Sequence, residues 1–588
     1  MNNKIKLIIS ILCVVFVFSS CKKNFIDRAP MSNISDADYW KTPNDLRLYV
    51  NQFYNGLPSY RGYGTWGPYS LDASQGSDNM IHFEYNQFLN GESTLPASGG
   101  GWSYGDWEQI RSINYFLDHY KTIEGDQSEI RKYVGEAYFF KAWYYFEKLK
   151  SFGDLPWYSH ALVLSDSTAL QKPRLSRDLV VDSLMSILDL AIDYLPEKGG
   201  SGYENFRVYS ELAALFESRI ALYEGTWEKY HAGTPFGVQG KDGSKFLKKA
   251  VQAANIVISS GKFALDNVGE PEGYRKLFNR LDYSDSKEVM FWRKYDPADG
   301  VYTLWANYQR LGGGLGVTKS LVDAYLCKDG KPIAMSSDYK GDDSLKSVVA
   351  NRDPRLIQTI QVNDGSHFIN DTSEFVHPAW DGALEDKNAT GYQLYKGLSL
   401  SLEQQTRGKG SQGLIYFRYA EALLNYAEAK AELGTITQAD LDETINKLRD
   451  RVGMPHLVLG SIVHDTNWNF PNLTPIINEV RRERRVEFAA EGYRHDDIWR
   501  WAAAGKLIEG WKPKGAKRQQ FLKIAKDAPE KNLIKDLYPV DGNGYIFPYK
   551  NNVVGQSGYN FNVNRDYLSP IPTNQLLLNK HLEQNPGW

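Results

Sequence analysis

Five consecutive charged residues, at positions 481–485, lie in a segment that otherwise has the pattern of a packed helix. At about 3.6 residues per turn, successive side chains point ~100° apart, so five in a row cover every side of a helix. Val480, Val486 and Phe488 flank the run and indicate that one side of the helix is buried. At least one of the charged side chains must therefore point into the protein.

A guanidinium group inside a protein requires carboxylate partners, because an unpaired buried charge costs several kcal/mol. Glu483, Glu487 and Glu491 are the acidic partners nearest in the sequence. The His-Asp-Asp sequence at 495–497 suggests a metal site, but three adjacent residues match neither the common metal-ligand spacings nor a catalytic triad. The stretch therefore predicts a structural ion-pair network that holds this helix against its neighbours.

Helical patterns account for most of the remaining regular sequence. Small residues such as Ala137, Ala142, Ala213 and Ala221 recur among large ones, as in the closely packed helical hairpins of tetratricopeptide-type solenoids. The full 34-residue consensus of that repeat is not present. The predicted helical segments span residues 36–54, 107–120, 129–152, 177–195, 205–230, 245–260, 416–434 and 438–452, and the charged helix with its turn spans 479–501.

Two long irregular segments, 57–105 and 274–413, interrupt the helices. Gly, Pro, Ser and Asn punctuate them, which is typical of loops, and loops of this length are usually functional. The triple glycine at 312–314 predicts a flexible turn and not a phosphate-binding loop, because no Gly-Lys-Ser/Thr follows it. A chain of 588 residues with these alternating segments predicts two interlocked lobes or a repeat array.

The first residues have the pattern of a secretory signal peptide. Lys4 and Lys6 precede an apolar run at 7–18, which is too short to span a bilayer as a helix. Small residues then lead to Cys21, as in a bacterial lipobox, where the cysteine thiol takes up diacylglycerol and becomes the new N-terminus. The sequence therefore predicts removal of residues 1–20 and a lipid anchor at Cys21.

The cysteine count agrees with this interpretation. Cys13 lies in the signal peptide and Cys21 would carry the lipid, so Cys327 is the one cysteine that remains. No disulfide within the mature chain is then possible. Cys327 ends a helix-like run and is predicted to be a buried thiol.

Four segments of the chain carry distinctive patterns: the lipobox at Cys21, the helical segment 134–157 with its Phe-Gly-Asp-Leu-Pro exit, the charged stretch, and the closing segment 569–588. These four signatures resemble the SusD/RagB family of nutrient-binding outer-membrane lipoproteins. They occur in the family's order and cover essentially the whole chain. The family pattern ER(R)xEFxxEGxRxxDxxRW is carried here by Glu483, Arg484, Glu487, Glu491, Gly492, Arg494, Asp497, Arg500 and Trp501.

The resemblance implies a mainly α fold, a tetratricopeptide-like helical-hairpin superhelix with a large irregular, loop-rich lobe. It divides the chain into a signal peptide (1–20), an N-terminal SusD-like region with the anchor, a ligand loop and hairpins (21–270), and a C-terminal SusD/RagB region (271–588). It also implies a lipoprotein on the outer surface of the outer membrane. Lys22 and Lys23 stand where surface-exported lipoproteins often carry acidic residues, so the sequence leaves the leaflet open.

In function, the resemblance implies a protein that captures an oligosaccharide or polysaccharide and delivers it to a SusC-like TonB-dependent transporter, over which it sits as a lid. Peptide is an alternative ligand, because some family members are associated with peptides. A structural lid with little ligand affinity of its own is a third possibility.

Aromatic and polar side chains occur together in both irregular segments, as a glycan platform requires. Sugar rings present flat C–H faces that stack on Trp and Tyr, while their hydroxyls need planar donors and acceptors. No family motif assigns these contacts residue by residue. The predicted ligand-binding residues are Trp66, Tyr69, Asp78, Asn79 and Trp102 in the first segment, and Trp305, Asn307, Tyr308, Arg310 and Trp380 in the second.

Other functional classes have little support in the sequence. No HExxH, GxSxG, paired CxxC or Walker A motif is present, so no enzyme activity and no cofactor are predicted. The net charge of −3 does not favour nucleic-acid binding. The acidic residues at 72–78 lack the spacing of an EF-hand, so no metal site is predicted.

Overall fold

The computed structural model of the chain describes residues 39–60, 76–163 and 165–588. Helices dominate these residues, and the predicted mainly α fold is confirmed. We number the helices of eight or more residues in chain order: α1 Pro43–Val50, α2 Tyr104–His119, α3 Gln127–Phe152, α4 Arg177–Tyr194, α5 Ser210–Tyr230, α6 Ser244–Ser259, α7 Tyr419–Glu432, α8 Ile445–Val452, α9 Pro475–Glu487, α10 Tyr493–Arg500 and α11 Ala528–Leu537.

The long helices pack in succession, α2 on α3, α3 on α4, α4 on α5 and α5 on α6, after which α6 contacts α7. The predicted helical-hairpin superhelix is thus present. Small residues permit the close approach: Ala137 and Ala213 are fully buried, and a Cβ at Gly225 of α5 would lie 2.8 Å from the backbone nitrogen of Leu247 in α6. A side chain at Gly225 would therefore force these two helices apart.

The irregular lobe contains two small antiparallel sheets. Strand β1 (Met80–His82) pairs with β3 (Leu315–Val317), and β2 (Val289–Arg293) pairs with β4 (Leu414–Arg418). Shorter α-helices occur between and after these elements. They are Ser167–Leu170, Gly273–Leu277, Trp305–Arg310, Lys319–Ala324, Leu345–Val349, Pro354–Thr359, Leu402–Gln405, Gln438–Glu443, Ala504–Leu507, Gln519–Ile524, Val553–Ser557 and Thr573–Leu578.

Several predicted boundaries differ from the structure. Within the predicted segment 36–54, of which 36–38 lie outside the described residues, α1 starts at Pro43, where Thr42 forms a capping box with Asp45. The predicted helix 416–434 starts only at Tyr419, since β4 occupies the residues before it. The predicted helix 438–452 is broken at Thr444, whose φ of −127° and ψ of −89° are not helical.

The predicted charged segment 479–501 consists of two helices. Ala490 and Gly492 have positive φ values of 62° and 88°, and they turn the chain between α9 and α10. Cys327 is buried, as predicted, but it lies beyond the end of the short helix Lys319–Ala324. No helix among the described residues is long and apolar enough to cross a bilayer.

Candidate functional site

A cavity of about 280 Å³ lies where the helical hairpins meet the irregular lobe. Its lining comes from α3 and α5 on one side, and from β4, the short helix at Trp305 and the turn between α9 and α10 on the other. We call it the central cavity. Because its walls belong to packed helices and strands, their side chains are held in place before any ligand arrives.

Aromatic rings form much of the wall of the central cavity. The rings of Tyr60 and Trp305 lie parallel, with centroids 5.3 Å apart and an interplanar angle of 1°. The backbone N–H of Tyr60 donates to the hydroxyl of Tyr295 over 2.7 Å, and the hydroxyl of Tyr416 donates to the carbonyl of Pro58. These bonds tie the segment before residue 61 to the irregular lobe and fix the paired rings.

Charged groups lie on the α3 and α5 side. Lys150 of α3 lies 3.1 Å from the carboxylate oxygens of both Glu147 and Asp496. Burial alone would lower the pKa of Lys150, but Asp496 and Glu147 raise it above its ordinary value. Arg219 of α5 forms a bidentate pair with Glu421, at 2.6 and 2.7 Å. These groups offer fixed charged donors and acceptors to a ligand.

The deep end of the cavity contains a buried lysine. The ammonium of Lys396 donates to the hydroxyl of Tyr274 and to the carboxylate of Glu491, both over 2.6 Å, and to the carbonyl of Ala489 over 2.8 Å. Burial lowers the pKa of Lys396 to about 8. All three donor positions of the ammonium are therefore occupied by protein groups.

Behind this end lies the predicted ion-pair network, which is confirmed. Glu487 is fully buried and pairs with Arg355, Arg418 and Arg451, at 3.0, 2.7 and 2.5 Å. Its pKa is held well below its ordinary value, because these three guanidinium groups outweigh the effect of burial. Arg484 pairs with Asp497 over 2.9 Å. The network joins α9 to α7, α8 and α10.

The partners within the network differ from those nearest in the sequence. Arg484 pairs with an aspartate of the next helix, whereas Glu483 and Glu487 of α9 pair with arginines outside that helix. The three side chains at 495–497 have different partners and do not form one site: His495 stacks on Trp499, Asp496 pairs with Lys150 and Asp497 pairs with Arg484. The described residues contain no group of three or more His, Cys, Asp or Glu placed to hold a metal ion.

Two known family models match the sequence over most of its length. A model described as the SusD family matches residues 277–588, more than half of the chain. The chain belongs to the SusD family. A second model, described as starch-binding and associating with the outer membrane, matches residues 25–222. The family resemblance of the sequence signatures is thereby confirmed.

Individual SusD-family proteins are similar along nearly the whole chain. SusD-like protein P38 of Formosa agariphila is 24% identical over 526 residues, covering 85% of this chain and 91% of the relative. SusD-like protein P2 of the same organism is 22% identical and covers 96% of each chain. The crystal structure of a SusD-like carbohydrate binding protein from Bacteroides fragilis superposes with a TM-score of 0.70 at 23% identity, over 93% of this chain and all of that one. The fold is thus a SusD-family fold.

The described residues of the first predicted cluster of ligand-binding residues do not line the central cavity of this SusD-family chain. Trp66 and Tyr69 lie outside the described residues. Asp78 and Asn79 are buried and accept from arginines of α9 and α10, so they belong to the ion-pair network. Trp102 is buried with its ring edge-on to Phe152, at a centroid distance of 4.8 Å. The side chains of Asp78, Asn79 and Trp102 therefore contact other protein groups and do not face the cavity.

Only part of the second predicted cluster of ligand-binding residues lines the central cavity. Trp305 lines the central cavity. Asn307 donates to the carbonyl of Gln405 over 2.8 Å, and Tyr308 and Arg310 are half-buried outside the cavity lining. Trp380 is buried and stacks on His377, with centroids 3.7 Å apart. Trp305 is thus the one predicted ligand residue among the described cavity-lining residues.

Several residues of the cavity were missed in the sequence. Trp143 and Lys150 lie in the regular helix α3, and Tyr416 lies in β4, where they have the pattern of ordinary packed residues. Arg219 carried a usable signal, because it is the only basic residue in α5 before Lys229 and lies among mostly apolar and small residues. A charged group inside such a helix requires a buried partner or a polar cavity.

Asp78 provides a pH-dependent test of the network. Burial raises the pKa of Asp78, but Arg485 and Arg494, at 2.9 and 2.6 Å, lower it to about 2. Because this is below its ordinary value of 3.8, the carboxylate stabilises the fold above about pH 4 and loses that contribution as the pH falls towards 2. We expect Asp78→Asn to lower the free energy of unfolding at pH 7 by about 2 kcal/mol.

Urea unfolding of wild type and Asp78→Asn across this pH range measures the effect. The difference between the two proteins should stay constant above about pH 5 and shrink below about pH 4. A difference that stays the same down to the lowest measurable pH would show that Asp78 is not a stabilising carboxylate.

Proposed function

We propose that this protein binds an oligosaccharide or polysaccharide in the central cavity and delivers it to a partner SusC-like TonB-dependent outer-membrane transporter. The observation that carries the proposal is a cavity whose wall combines aromatic faces with rigidly held charged donors and acceptors. Membership of the SusD family supports the same class of ligand.

The aromatic and the charged side chains of the cavity wall suit the C–H faces and the hydroxyl groups of a sugar. The C–H face of a pyranose packs against aromatic rings, and the indole of Trp305, which lines the cavity, would supply such a ring. Hydroxyl groups both donate and accept, so they can bond to the carboxylate of Glu147 and to the guanidinium of Arg219. Neither interaction requires a reacting group, and we propose that the protein acts by binding alone.

Known relatives support the ligand class and the location. A protein of the same fold is described as carbohydrate binding, and the family model that matches residues 25–222 is described as starch-binding and associating with the outer membrane. The proposed lipid on Cys21 would hold the protein at the outer surface of that membrane. Such a tether keeps a membrane partner at a high effective concentration. Energy for moving the ligand would then come from the transporter.

Titration calorimetry of the soluble protein beginning at Lys22 tests the ligand class. The panel contains plant, fungal, microbial and host glycans together with mixed peptides. Saturable binding to one class of glycan is the expected result. Binding to peptides alone would replace the glycan with a peptide ligand, and no binding to any member would contradict ligand capture and leave the structural lid.

The lipid anchor has its own test. Cys21→Ser removes the thiol that would be acylated, and a signal peptide alone does not retain a protein on a membrane. We expect the variant to leave the outer-membrane fraction and the wild type to stay in it, as measured by fractionation and by incorporation of a labelled fatty acid. Cys327→Ser is the matched control, because Cys327 is buried within the folded chain. Equal membrane retention of the Cys21 variant would contradict the anchor.

A further inference from the structure

The charged side chains around the central cavity are matched with one another. Every described cation that lines the cavity has a carboxylate oxygen within 3.1 Å. These cations are Lys150, Arg219, Lys396, Arg418, Arg484 and Arg500. An anion that enters the cavity therefore meets only cations that are already paired with a carboxylate, among the described lining residues.

Lys150 and its two carboxylate partners do not have a net charge of zero. One ammonium, Lys150, lies between two carboxylates, Glu147 and Asp496, so the three groups together carry one net negative charge. The side chain of Glu147 is about half exposed, at 49%, whereas that of Lys150 is only 16% exposed. The uncompensated negative charge thus lies on the more exposed member of the group, Glu147, which lines the cavity.

The other cations that line the cavity have their charges balanced. Arg219 of α5 donates from Nε and one terminal nitrogen to Glu421, and the same terminal nitrogen also donates to the hydroxyl of Tyr493 over 3.2 Å. At the deep end, Lys396 donates to Glu491 and to two further oxygens. An anionic ligand group could bind Lys396 only by displacing a protein group from a buried ammonium, which is strongly unfavourable, and the charge of Arg219 is already balanced by Glu421.

We propose that the central cavity selects neutral glycans and discriminates against acidic ones, such as those that carry a uronate or a sulfate. The proposal rests on the glycan-binding function proposed above and names the class of glycan. Neutral hydroxyl groups can accept from the paired cations and donate to the remaining lone pairs of the carboxylates without breaking an ion pair. An acidic group instead meets the net negative charge at Lys150, and the repulsion between like charges weakens its binding.

Matched sugars provide the test. Maltotetraose, cellotetraose, laminaritetraose and mannotetraose are each titrated against the wild-type protein beside the same tetrasaccharide oxidised to a carboxylate at one C6. For the backbone that binds, we expect a dissociation constant at least about tenfold higher for the acidic member. The penalty should shrink as salt is raised, because salt screens charges near the surface.

Glu147→Gln tests whether the net negative charge beside Lys150 causes the weaker binding of acidic glycans. The substitution removes one of the two negative charges beside Lys150 and makes the group neutral, so the ratio of acidic to neutral dissociation constants should fall by about fivefold. Glu129→Gln is the matched control, since Glu129 lies on the same helix α3 away from the cavity lining. The control should retain the ratio of the wild type.

The outcomes separate the two proposals. Equal or tighter binding of the acidic member, or an unchanged ratio in Glu147→Gln, would overturn the selection of neutral glycans while leaving glycan binding in place. No binding of either member for any of the four backbones would contradict glycan binding by this cavity and the inference with it.

Discussion

Glu487→Gln is expected to lower the free energy of unfolding by ~3–5 kcal/mol. The carboxylate of Glu487 is fully buried and is shared by Arg355, Arg418 and Arg451. The amide has nearly the same shape but no charge, so the three guanidinium groups keep their burial and lose one counter-charge. A buried charge that loses its partner is among the most destabilising changes a single substitution makes.

Chemical unfolding of the variant measures this loss, with Glu443→Gln as the matched control. Glu443 also forms an ion pair, with Lys447 over 2.6 Å, but its side chain is 65% exposed. An exposed pair of this kind contributes only ~0.3–0.5 kcal/mol, so the control should unfold nearly as the wild type does. If both variants lost similarly little stability, the network would not be the buried support that α9 requires.

Trp305→Ala is expected to weaken glycan binding by ~1–3 kcal/mol, a range taken from the stacking of bases on aromatic side chains. The indole lies in the wall of the central cavity and is parallel to the ring of Tyr60. Its removal eliminates one face of this pair and enlarges the cavity. Calorimetric titration with the glycan identified by the panel gives the change in dissociation constant.

Trp380→Ala separates a loss of contact from a loss of stability. Trp305 and Trp380 are both buried, at 6% and 2% exposure, and both substitutions remove an indole from the same core cluster. Only Trp305 lines the central cavity. We therefore expect both variants to melt at lower temperature, and only Trp305→Ala to bind more weakly. Weakened binding in both, or in neither, would remove Trp305 from the site.

Much of the superhelix could be predicted because its signals are local. The predicted segments 129–152 and 177–195 differ from α3 and α4 by no more than two residues at either end. Periodic apolar residues and Gly153, which has a φ of 70° at the end of α3, contain that information. The strand β4 depends on a distant partner, since β4 pairs with β2 more than 100 residues away. Local patterns therefore could not indicate it.

The sequence could predict that a buried ion-pair network exists, but it could not predict which residues pair. Five consecutive charges in a packed helix showed that buried pairs must exist. Glu487 and Arg355, however, are 132 residues apart in the chain. Only the folded arrangement of α9 and the short helix at Pro354 brings them together.

The candidate site illustrates the same limit more strongly. In sequence, Asp78 and Trp305 were equally plausible ligand contacts in loops that mix aromatic and polar residues. The structure places Asp78 against Arg485 and Arg494 and places Trp305 in the cavity wall. Residue type states what a side chain can bond to, while the surrounding fold decides whether a protein group already occupies that position.

A crystal structure of the protein with the glycan that binds in the panel tests the central claim most directly. Electron density for sugar rings inside the central cavity, against Trp305 and within hydrogen-bond distance of Arg219 or Glu147, is the result we predict. Sugar bound on another surface, with the central cavity free of it at saturating glycan, would contradict the assignment of the site.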